Sequence, residues 1–540
     1  MNDASVSICA ASHRAGRIAE NKSVPHGWQS RSTDEVERGH MLEVEVAIVG
    51  GGFGGSLLAL VLRRAGLSVA LIDKGRHPRF AIGESSTPIA NLVLKDLCRE
   101  YDLPRVAPLA KYGTWQATHP QLVSGIKRGF SYFHHEAGQP FLADAEHSTE
   151  LLVAASSSDQ HSDTHWLRQD VDGFLFEEAR AAGAICFEQC DIGEIELPGV
   201  GQVFNLPLKH GQVGNLPHEV RTRFVVDASG EGGFLAKQLG IENRTLELRT
   251  NSRAVFAHFA DVTRWKRCME SRGLDTAEHP FDCDHAALHH AFDAGWMWQL
   301  RFNDETLSAG FVQDLNRGER PNLSASDEWD SWLRRYPSVG EQFANAKIVR
   351  PVGGLRSTGR LQRKVARAAG AWWAMLPNTA GFIDALHSSG IAHTLCGIER
   401  LARILIRSLG RDDLELRLRE YERCVLGEVE MIDLLVSGCF AGLGDFRRFA
   451  AATMLYFAAA TSYERARVAS IGEFQPAFLL ANDPAWLPVV RRMCDRLREV
   501  ADVAEFESEL AAAIRPFNVV GLCDSALRNM YRHSALPESF

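Results

Sequence analysis

The residues best suited to chemistry lie in the glycine-rich turn Gly50-Gly51-Gly52-Phe53-Gly54-Gly55 and at the acid Asp73. The turn has the spacing G-x-G-x-x-G. In such a turn Gly50 permits a sharp bend, Gly52 lets the backbone approach a pyrophosphate, and Gly55 lets a helix pack closely on a strand. Asp73 stands where a carboxylate accepts hydrogen bonds from a ribose diol. These residue types predict a site for a dinucleotide.

The elements that must position this turn are a strand, a helix and a second strand. Val44–Val49 is apolar and rich in β-branched residues, which favours a buried strand. The pattern then predicts a helix over Ser56–Ala65, closed by Gly66, and a strand over Ser68–Ile72. The N-terminus of that helix presents N–H groups and partial positive charge to phosphates. A glycine-rich turn in an ordinary α/β unit is the alternative, and the flanking elements favour dinucleotide binding.

A second acid at a strand end, Asp227, belongs to the same predicted site. It lies in Arg223–Gly230, an apolar strand that ends in Asp-Ala-Ser-Gly. Ligands of open α/β sheets bind outside the carboxyl ends of the strands. We therefore expect Asp227 to give a second contact to the same dinucleotide.

Length and composition indicate a globular chain and exclude several kinds of partner. The 540 residues are 45% hydrophobic and 24% charged, with a net charge of −9 and no long basic run, which argues against nucleic acid or an anionic membrane. Scattered cysteines without C-x-x-C indicate a reducing, cytoplasmic location and no zinc or other metal site. No apolar run is long enough for a transmembrane helix. Residues 1–40 do not form a signal peptide and are expected to be a disordered extension.

Further patterns predict the elements around the site. Lys111–Trp115 is expected to begin a strand, and Gly129–His135 alternates as another strand. Residues 140–165 are expected to be irregular. Trp166–Ala182 has the spacing of an amphipathic helix.

The fold class predicted from these patterns is α/β. A Rossmann-like dinucleotide-binding domain is expected over residues 41–410, with an inserted antiparallel sheet, mainly residues 111–140 and 250–370, that forms the substrate region. Residues 411–540 have helical periodicity and are expected to form a C-terminal helical domain.

Four segments resemble the motifs of the flavin-dependent halogenases, within the wider class of FAD monooxygenases (GR2/PHBH-type). The glycine turn with its acid resembles the FAD fingerprint, and Gly83-Glu84-Ser85 resembles the strap that lies on the flavin. Gly295-Trp296-Met297-Trp298-Gln299-Leu300 resembles W-x-W-x-I-P, and residues 381–390 resemble the segment F-I-D-P-x-x-S-[ST]-G. The first motif is shared by all FAD oxygenases, whereas the other three together are far more specific. The resemblance covers residues 44 to 410.

The resemblance implies an oxidoreductase that uses FAD as FADH2, O2, and chloride or bromide. In the family, reduced flavin and O2 form a C4a-hydroperoxide, which halide attacks to give hypohalous acid. A lysine in a closed tunnel then directs the halogen to an aromatic ring, in the biosynthesis of secondary metabolites and antibiotics. Lys111, in Lys111-Tyr112-Gly113-Thr114-Trp115, resembles the K-x-G-T-F form of that lysine segment. Its ammonium is expected to hydrogen-bond the oxidant or to form a chloramine, and a surface lysine at a strand start is the alternative.

The resemblance also assigns residues to the cofactor and the halide. The residues expected to contact FAD are Gly50, Gly52, Phe53, Gly54, Gly55, Asp73, Lys74, Ile82, Gly83, Glu84, Ser85, Ser86, Arg168, Asp227, Asn378, Gly381, Phe382, Asp384 and Ile391. Ser388, Ser389 and Gly390 open a helix, so their N–H groups and hydroxyls are expected to hold chloride, and a Ser helix cap is the alternative. Trp296 and Trp298 fall on one strand face, where they line the tunnel in the family or simply pack.

Three positions depart from the family's pattern. The strand before F-I-D ends in Pro377-Asn378 instead of Gly-Asp, and Arg301 replaces the closing proline of W-x-W-x-I-P. His387 stands where tryptophan-type enzymes have a glutamate that accepts a proton. A histidine can take the ring proton, or it can be a packed residue. Without the glutamate we expect a phenol or pyrrole substrate, either free or bound to a carrier protein.

Partners and alternative functions follow from the same features. No second G-x-G-x-x-G follows a strand, so a separate NAD(P)H flavin reductase is the expected partner. An FAD-dependent aromatic hydroxylase of the same fold would transfer OH directly and would need an open path to its substrate, which Lys111 and the tryptophan pair argue against. A non-catalytic flavoprotein is the other alternative, and Pro377-Asn378 is the feature that favours it.

Overall fold

The structure, a computed structural model, describes residues 41–195, 203–210, 217–320, 322–469 and 476–532. The extension predicted over residues 1–40 lies outside these ranges. The ten cysteines within them are free thiols. Among the helices of the described ranges, none is both long and apolar enough to span a membrane.

The described strands build two large and two small sheets. Their bounds are β1 (Leu42–Val49), β2 (Val69–Ile72), β3 (Ser124–Lys127), β4 (Gly129–His134), β5 (Glu150–Ala154), β6 (Asp163–Trp166), β7 (Ile185–Phe187), β8 (Cys190–Ile192), β9 (Phe204–His210), β10 (Glu219–Asp227), β11 (Ser252–Ala260), β12 (Ala287–Phe292), β13 (Gly295–Arg301), β14 (Leu307–Asp314), β15 (Lys347–Arg350), β16 (Arg356–Ser357), β17 (Arg363–Lys364), β18 (Ala369–Gly370), β19 (Trp373–Met375), β20 (Gly381–Phe382) and β21 (Met530–Tyr531).

The described helices surround these sheets. Their bounds are α1 (Phe53–Arg64), α2 (Pro88–Glu100), α3 (Tyr112–Thr118), α4 (Arg168–Ala181), α5 (Phe234–Gln238), α6 (Trp265–Ser271), α7 (Ala325–Arg335), α8 (Pro337–Gln342), α9 (Pro377–Ala380), α10 (Ser389–Ser408), α11 (Leu414–Gly442), α12 (Phe446–Ala469), α13 (Trp486–Glu499) and α14 (Val503–Ile514).

The first large sheet is the predicted nucleotide-binding sheet. Its strand order is β18-β19-β10-β1-β2-β7, and the five strands from β19 to β7 run parallel. At its centre Val46, Ala47 and Ile48 are fully buried, as expected for a parallel strand covered on both faces. The strand–helix–strand prediction is confirmed by β1, α1 and β2. The carboxyl ends of β1, β2 and β10 therefore meet at one edge, where the glycine turn lies.

The second large sheet has the order β15-β11-β14-β13-β12-β4-β5-β21, with β16 beside β11. It is antiparallel except where β12 meets β4 and β5 meets β21. Successive residues of β13 face opposite sides. Met297 packs in an apolar cluster with residues of α7 and α8, whereas Trp296 and Trp298 face the main core. The predicted placement of the two tryptophans on one strand face is confirmed.

Two predictions about the chain before α4 are wrong. Lys111–Trp115 does not begin a strand, because Lys111 precedes α3 and the N–H groups of Tyr112 and Gly113 bond to carbonyls of the loop 160–162. Residues 140–165 are not irregular throughout, since they contain β5 and most of β6. These segments form strands despite their polar surroundings because β5 adds to the buried edge of β4 and β6 pairs with β3.

The C-terminal helices share one apolar core with the nucleotide-binding sheet. A buried ionic cluster adds to that contact: Glu428 of α11 bonds to Arg400 and His393 of α10 and accepts the N–H of Phe478 at 2.6 Å. Burial alone would raise the pKa of Glu428, but Arg400 and His393 lower it to about 2. The carboxylate is therefore ionised inside the protein and depends on these partners.

Glu428→Gln is expected to lower the free energy of unfolding by about 3–5 kcal/mol, because it leaves the Arg400 guanidinium buried without its counter-charge. Thermal denaturation followed by circular dichroism measures the effect. The matched control is Glu420→Gln on the exposed face of the same helix, where the ion pair with Arg423 is accessible to solvent and contributes little. Equal denaturation midpoints for the two variants would contradict the assignment.

Candidate active site

The glycines of the turn divide into those that the fold requires and one that faces open space. Gly50 has φ of 108°, and a Cβ there would lie 2.5 Å from the carbonyl oxygen of Ala228. A Cβ on Gly55 would lie 1.9 Å from the carbonyl oxygen of Gly50. At Gly52 the nearest atoms to a Cβ are at least 3.6 Å away. Only Gly52 of these three thus has room in front of it.

The space in front of Gly52 is bordered by two guanidinium groups and a carboxylate: an oxygen of Asp172, which pairs with Arg168, lies 3.6 Å from the position of a Cβ on Gly52. The guanidinium nitrogens of Arg168 and Arg79 lie 3.7 and 3.8 Å from the position of a Cβ on Gly52. Arg168 also stacks over the ring of Phe53, with 4.7 Å between the guanidinium carbon and the ring centroid. An open backbone at a helix N-terminus beside two guanidinium groups fits a pyrophosphate. Gly54, in contrast, packs against Thr394 and Leu376.

Asp73 is buried and fixes the glycine turn from the end of β2. Its carboxylate accepts the N–H groups of Gly51 and Gly75, both at 2.6 Å, and a bond from Arg79 at 3.0 Å. Burial alone would raise the pKa of Asp73, but Arg79 and the two N–H groups lower it overall. An ionised carboxylate at this strand end suits a ribose diol, and the neighbouring Lys74 is exposed. Arg79 was not predicted, since it lies in a loop without a recognised motif.

The strap residues 82–86 lie along β6. The N–H of Trp166 bonds to the carbonyl of Glu84 at 2.6 Å, and the N–H of Ser86 bonds to Thr164 at 3.0 Å. From the other side Arg168 donates to the carbonyls of Ile82 at 3.0 Å and Gly83 at 3.2 Å. Gly83 has φ of 88°, which a glycine adopts without strain. The strap is thus held by backbone and by Arg168.

The carboxylate of the strap has a histidine partner that was not predicted. Glu84 lies 3.1 Å from Nε2 of His258, and both side chains are almost fully buried. His258 comes from β11 of the second sheet, where one histidine in an apolar strand gives no motif. The hydroxyl oxygen of Ser85 is buried and has no hydrogen-bond partner within the described residues. An unpartnered polar atom at this point is consistent with a ligand on the strap.

On the other side of the predicted flavin site, two acids serve the protein's own backbone. Asp227 accepts the N–H groups of Ser229 at 2.9 Å and Leu235 at 2.7 Å. Asp384 accepts from the hydroxyl of Ser252 at 3.1 Å and the N–H of Leu386 at 3.0 Å. Burial raises the pKa of Asp384 to about 7. Both acids therefore shape the turns beside the site, and direct contact with FAD stays a prediction.

Asn378 and the segment after it are tied down by Arg363. The guanidinium of Arg363 donates to the carbonyl oxygen of Asn378, and its side chain lies over the ring of Phe382. Gly381 and Phe382 form β20, which pairs with β17. The structure thus gives the uncharged Asn378 a cationic neighbour that the sequence motif did not reveal.

The start of α10 is the predicted halide site. Ser388 and Ser389 are buried and Gly390 is exposed, followed by the buried Ile391. Ser388 has φ of 52°, which is unusual for a residue with a side chain, and no side chain caps the helix. A serine cap was the alternative explanation of this motif, and the structure contradicts it. The first N–H groups of α10 are those that an intrahelical bond cannot satisfy, so they suit an anion.

A continuous cluster of rings connects the second sheet with the C-terminal helices. Phe130 lies 6.0 Å from Tyr456 and 6.3 Å from Tyr132, whose ring stacks on His289 at 4.4 Å. His289 in turn lies 5.3 Å from Trp296, and Trp296 lies 6.1 Å from Trp298. We call these six residues the aromatic cluster. The hydroxyl of Tyr132 and the indole N–H of Trp296 are buried without partners in the described residues.

His387 joins the aromatic cluster to the start of α10. Its ring stacks on Tyr456 with centroids 4.3 Å apart, and Nε2 lies 3.5 Å from the thiol of Cys439. Burial lowers the pKa of His387 to about 3, with a smaller effect of His289 in the same direction. The imidazole is therefore neutral, and its burial makes it a weak proton acceptor.

Lys111 is linked to Phe130 of the aromatic cluster through Asp163 and Lys127. Its ammonium nitrogen is 3.8 Å from a carboxylate oxygen of Asp163, and its side chain is 21% exposed. Asp163 lies opposite Lys127 in the pairing of β3 with β6. The ammonium nitrogen of Lys127 is 4.1 Å from the centroid of Phe130. Neither Asp163 nor Lys127 was predicted, because each contact joins residues far apart in the chain.

Comparisons with known proteins identify the family of the chain. The family model described as "Tryptophan halogenase" matches residues 153–441, and an NAD(P)-binding Rossmann-like domain matches residues 48–92. The chain is 28% identical over 410 residues to monodechloroaminopyrrolnitrin halogenase PrnC of Pseudomonas fluorescens, a match that covers 75% of this chain and 69% of that protein. It is also 28% identical over 410 residues to tetracycline 7-halogenase of Kitasatospora aureofaciens, which covers 74% of this chain and 70% of that one.

Solved structures give the same result. A mutant of the halogenase PltM in complex with FAD is 25% identical, with a TM-score of 0.80, and the match covers 90% of this chain and 99% of that one. PltM in complex with phloroglucinol and FAD has the same TM-score and coverage at 24% identity. The predicted fold class is confirmed, and so are FAD and halide as its cofactors. The chain belongs to the tryptophan halogenase family and is a flavin-dependent halogenase, an oxidoreductase.

Proposed function

We propose that this halogenase transfers chlorine or bromine to an electron-rich aromatic ring of phenol or pyrrole type, and that Lys111 directs the halogen. The single observation that carries this proposal is the aromatic cluster. Phe130 of the cluster lies under the ammonium of Lys127, beside Asp163 and Lys111, and the neighbouring Tyr456 stacks on His387, next to the start of α10. A ring bound in this region would lie between a cationic group and a predicted halide site.

The residues of the chain have distinct roles in this proposal. The backbone at Gly52 with Arg79 and Arg168 holds the pyrophosphate of FAD, and the strap with Glu84 orients the flavin end. The N–H groups at Ser389 bind the halide. The chemistry that reduced FAD supplies when bound is the oxidation of halide by O2 to hypohalous acid. The Lys111 ammonium donates a hydrogen bond to that acid and orients its halogen toward the substrate.

The substrate class follows from the side chains of the aromatic cluster. Flat rings of Phe130, Tyr132 and Trp296 suit another flat ring by offset or edge contacts. The unpartnered hydroxyl of Tyr132 and indole N–H of Trp296 can each donate a hydrogen bond to a phenol oxygen, and the Tyr132 hydroxyl can also accept the N–H of a pyrrole. Phloroglucinol, the ligand named for PltM, is a phenol, and other relatives are named for a carrier-bound pyrrole. Free and carrier-bound substrates are both within this proposal.

The proton that leaves the ring also needs an acceptor. His387 has a buried Nδ1 without a partner in the described residues, next to the ring of Tyr456. A halogenated cationic ring is a strong acid, so even an imidazole whose pKa burial lowers to about 3 can accept its proton. We assign this role to His387 in place of the family's glutamate.

The reductant is expected to come from a separate NAD(P)H flavin reductase, because no second dinucleotide motif is present. Purified protein loaded with FAD and mixed anaerobically with NADH should keep its oxidised flavin spectrum. Addition of a flavin reductase should bleach the spectrum, and admission of O2 in the presence of halide and substrate should then start turnover. Rapid stoichiometric reduction by NADH alone would contradict this expectation.

Product analysis tests the proposed function. The protein, a flavin reductase, NADH, FAD and either chloride or bromide are incubated with a panel of phenols and pyrroles, and with carrier-bound pyrrole. The proposal predicts a halogenated product that requires halide and O2. A product with one added oxygen in place of a halogen would indicate the hydroxylase. Peroxide without any organic product, on the whole panel, would indicate a flavoprotein that does not act on these rings.

A further inference from the structure

The carboxylate of Asp163 is shared by more groups than one ion pair. Asp163 is fully buried. One of its oxygens accepts from the amide of Asn91 and lies 3.8 Å from the ammonium of Lys111. The other oxygen is buried without a hydrogen-bond partner in the described residues. Asp163 is thus fixed in place, and its second oxygen can accept a hydrogen bond from another donor.

Lys127 is the second lysine that faces Asp163. It is 0% exposed and stands directly opposite Asp163 where β3 pairs with β6, so both side chains project from the same face. Its ammonium nitrogen donates to the carbonyl of Ser86 in the strap at 2.6 Å and lies over Phe130. A fully buried lysine is rare in proteins unless it is paired. Lys127 therefore connects the strap, the aromatic cluster and the partner of Lys111.

We propose that Asp163 and Lys127 are positioning residues of the halogenation site: Asp163 holds Lys111 in place, and Lys127 competes for the same carboxylate. The inference rests on the proposed function, because it concerns how Lys111 is held for halogen transfer. It extends that function by making the orientation of Lys111 depend on the charge of a second amine. Neither residue is required to touch the substrate.

The charge balance shows why the two lysines compete. Two ammonium groups and one carboxylate lie in a region of low dielectric constant, where an unbalanced charge is costly. Burial lowers the pKa of Lys127 to about 7, although Asp163 acts in the opposite direction. Burial raises the pKa of Asp163, although Lys111, Lys127 and Lys95 lower it. Lys127 is therefore the amine that gives up its proton near neutral pH.

The other groups around the pair stay neutral or lie at its edge. Burial lowers the pKa values of His165 and His289 to about 3, so both imidazoles are neutral. Burial raises the pKa of the Tyr456 hydroxyl, which stays protonated. Lys95 is half-buried, and burial together with Lys111 lowers its pKa. Lys127 is thus the group whose charge changes within this cluster near neutral pH.

The pH dependence has a definite sign. Above the pKa of Lys127 its amine is neutral, and the Asp163 carboxylate is available to Lys111 alone. Below that pKa two ammonium groups compete for the carboxylate, and Lys111 is held less firmly. Halogen transfer per O2 consumed should therefore fall as the pH drops through about 7. The oxidation of flavin itself should not follow this curve.

The test compares Asp163→Asn and Lys127→Met with wild type, and uses Asp159→Asn as the matched control. Asp159 is an exposed acid near Asp163 in the chain that pairs with Arg128. For Asp163→Asn we expect halogenated product per O2 consumed to fall about 10²-fold, because Lys111 loses its fixed partner. For Lys127→Met we expect that halogenated product per O2 consumed no longer falls as the pH drops through about 7; this fall is the acid limb of the wild-type profile. Stopped-flow flavin oxidation should be the same in wild type, Asp163→Asn and Asp159→Asn, whereas Lys127→Met is compared by its pH profile because Lys127 also bonds to the strap.

A second readout requires neither activity nor bound FAD. Protein labelled with 13C at the lysine ε-carbon is titrated by NMR, and Lys127 is assigned as the signal that Lys127→Met lacks. We expect its midpoint near pH 7 in wild type and lower in Asp163→Asn, where the favourable carboxylate is gone. A midpoint near the ordinary lysine value of 10.5 would overturn the inference.

The kinetic comparison can overturn it as well. A Lys127→Met profile that keeps the acid limb, or an Asp163→Asn variant with wild-type product yield, would show that the two residues do not position Lys111. If Asp163→Asn or Lys127→Met fails to fold, the wild-type NMR titration and the remaining variant still test the inference. Failure of the proposed function is distinct, since wild type would then give no halogenated ring while the NMR titration still reports on Lys127.

Discussion

Lys111→Ala is expected to reduce halogenated product by about 10³-fold, a loss typical of removing a positioned acid–base group. FAD affinity and the reaction of reduced flavin with O2 should stay at their wild-type values. The physical reason is that Lys111 contacts Asp163 and, within the described residues, has no hydrogen bond or ion pair with the glycine turn. Stopped-flow absorbance and product analysis on the same samples measure both halves of this expectation.

Lys111→Arg should fail nearly as completely. A guanidinium keeps the charge but is planar and bulkier, and it does not readily give up a proton to become a nucleophilic amine. Lys347→Ala is the matched control, because Lys347 is an exposed lysine paired with Asp261 at the edge of the second sheet. Wild-type halogenation by either Lys111 variant would mean that the lysine has a structural role only. Loss of FAD from both variants would instead place it in the cofactor site.

Gly52→Val should yield a folded protein that binds FAD up to about 10²-fold more weakly. A Cβ at this position would lie 3.6 Å from the nearest protein atom, in the open space in front of the turn, so we expect the fold to tolerate the substitution. The same side chain would occupy the space between Arg79 and Arg168 where a pyrophosphate fits. An overpacking cost of 1–3 kcal/mol weakens binding by up to about 10²-fold. Flavin fluorescence quenching measures the affinity, and circular dichroism checks the fold.

Two other glycines give the controls for this experiment. Gly427→Ala lies in the middle of α11 with no atom within 4 Å of the new Cβ, so both fold and FAD affinity should be retained. Gly55→Ala would place a Cβ 1.9 Å from the carbonyl oxygen of Gly50, so it should destabilise the whole sheet. A Gly52→Val protein with the wild-type flavin spectrum and affinity would show that the pyrophosphate lies elsewhere.

The parts of the site that could be predicted from the sequence are those that local patterns determine. The glycine spacing of the turn Gly50–Gly55 is visible in the sequence. The structure explains Gly50 and Gly55, because a Cβ on either residue would lie under 3 Å from a backbone carbonyl oxygen. The strand of Trp296 and Trp298 follows from alternation with period two, which fixes one face. Helix α10 begins at Ser389, within the segment Ser388–Gly390 that was predicted to open it.

The parts that could not be predicted depend on contacts between distant segments. The segment at Lys111 has strand-like residues, yet it turns into α3 because its N–H groups meet carbonyls of the loop 160–162. Asp163 appears in a polar stretch, and only the pairing of β6 with β3 brings it to Lys127. His258 reaches Glu84 from another sheet. Pairs of residues that are distant in the chain have no fixed spacing in the sequence, so a single sequence does not reveal such contacts.

The proposed role of Lys111 is tested most directly by following where the oxidised halogen goes. Wild type and Lys111→Ala are run with a flavin reductase, NADH, halide, a phenol that wild type halogenates, and taurine as a soluble amine that captures free hypohalous acid. We expect wild type to deliver the halogen to the phenol ring and Lys111→Ala to deliver it to taurine, with equal O2 consumption. An unchanged yield of halogenated phenol in Lys111→Ala, or no oxidised halogen on either acceptor with wild type, would contradict it.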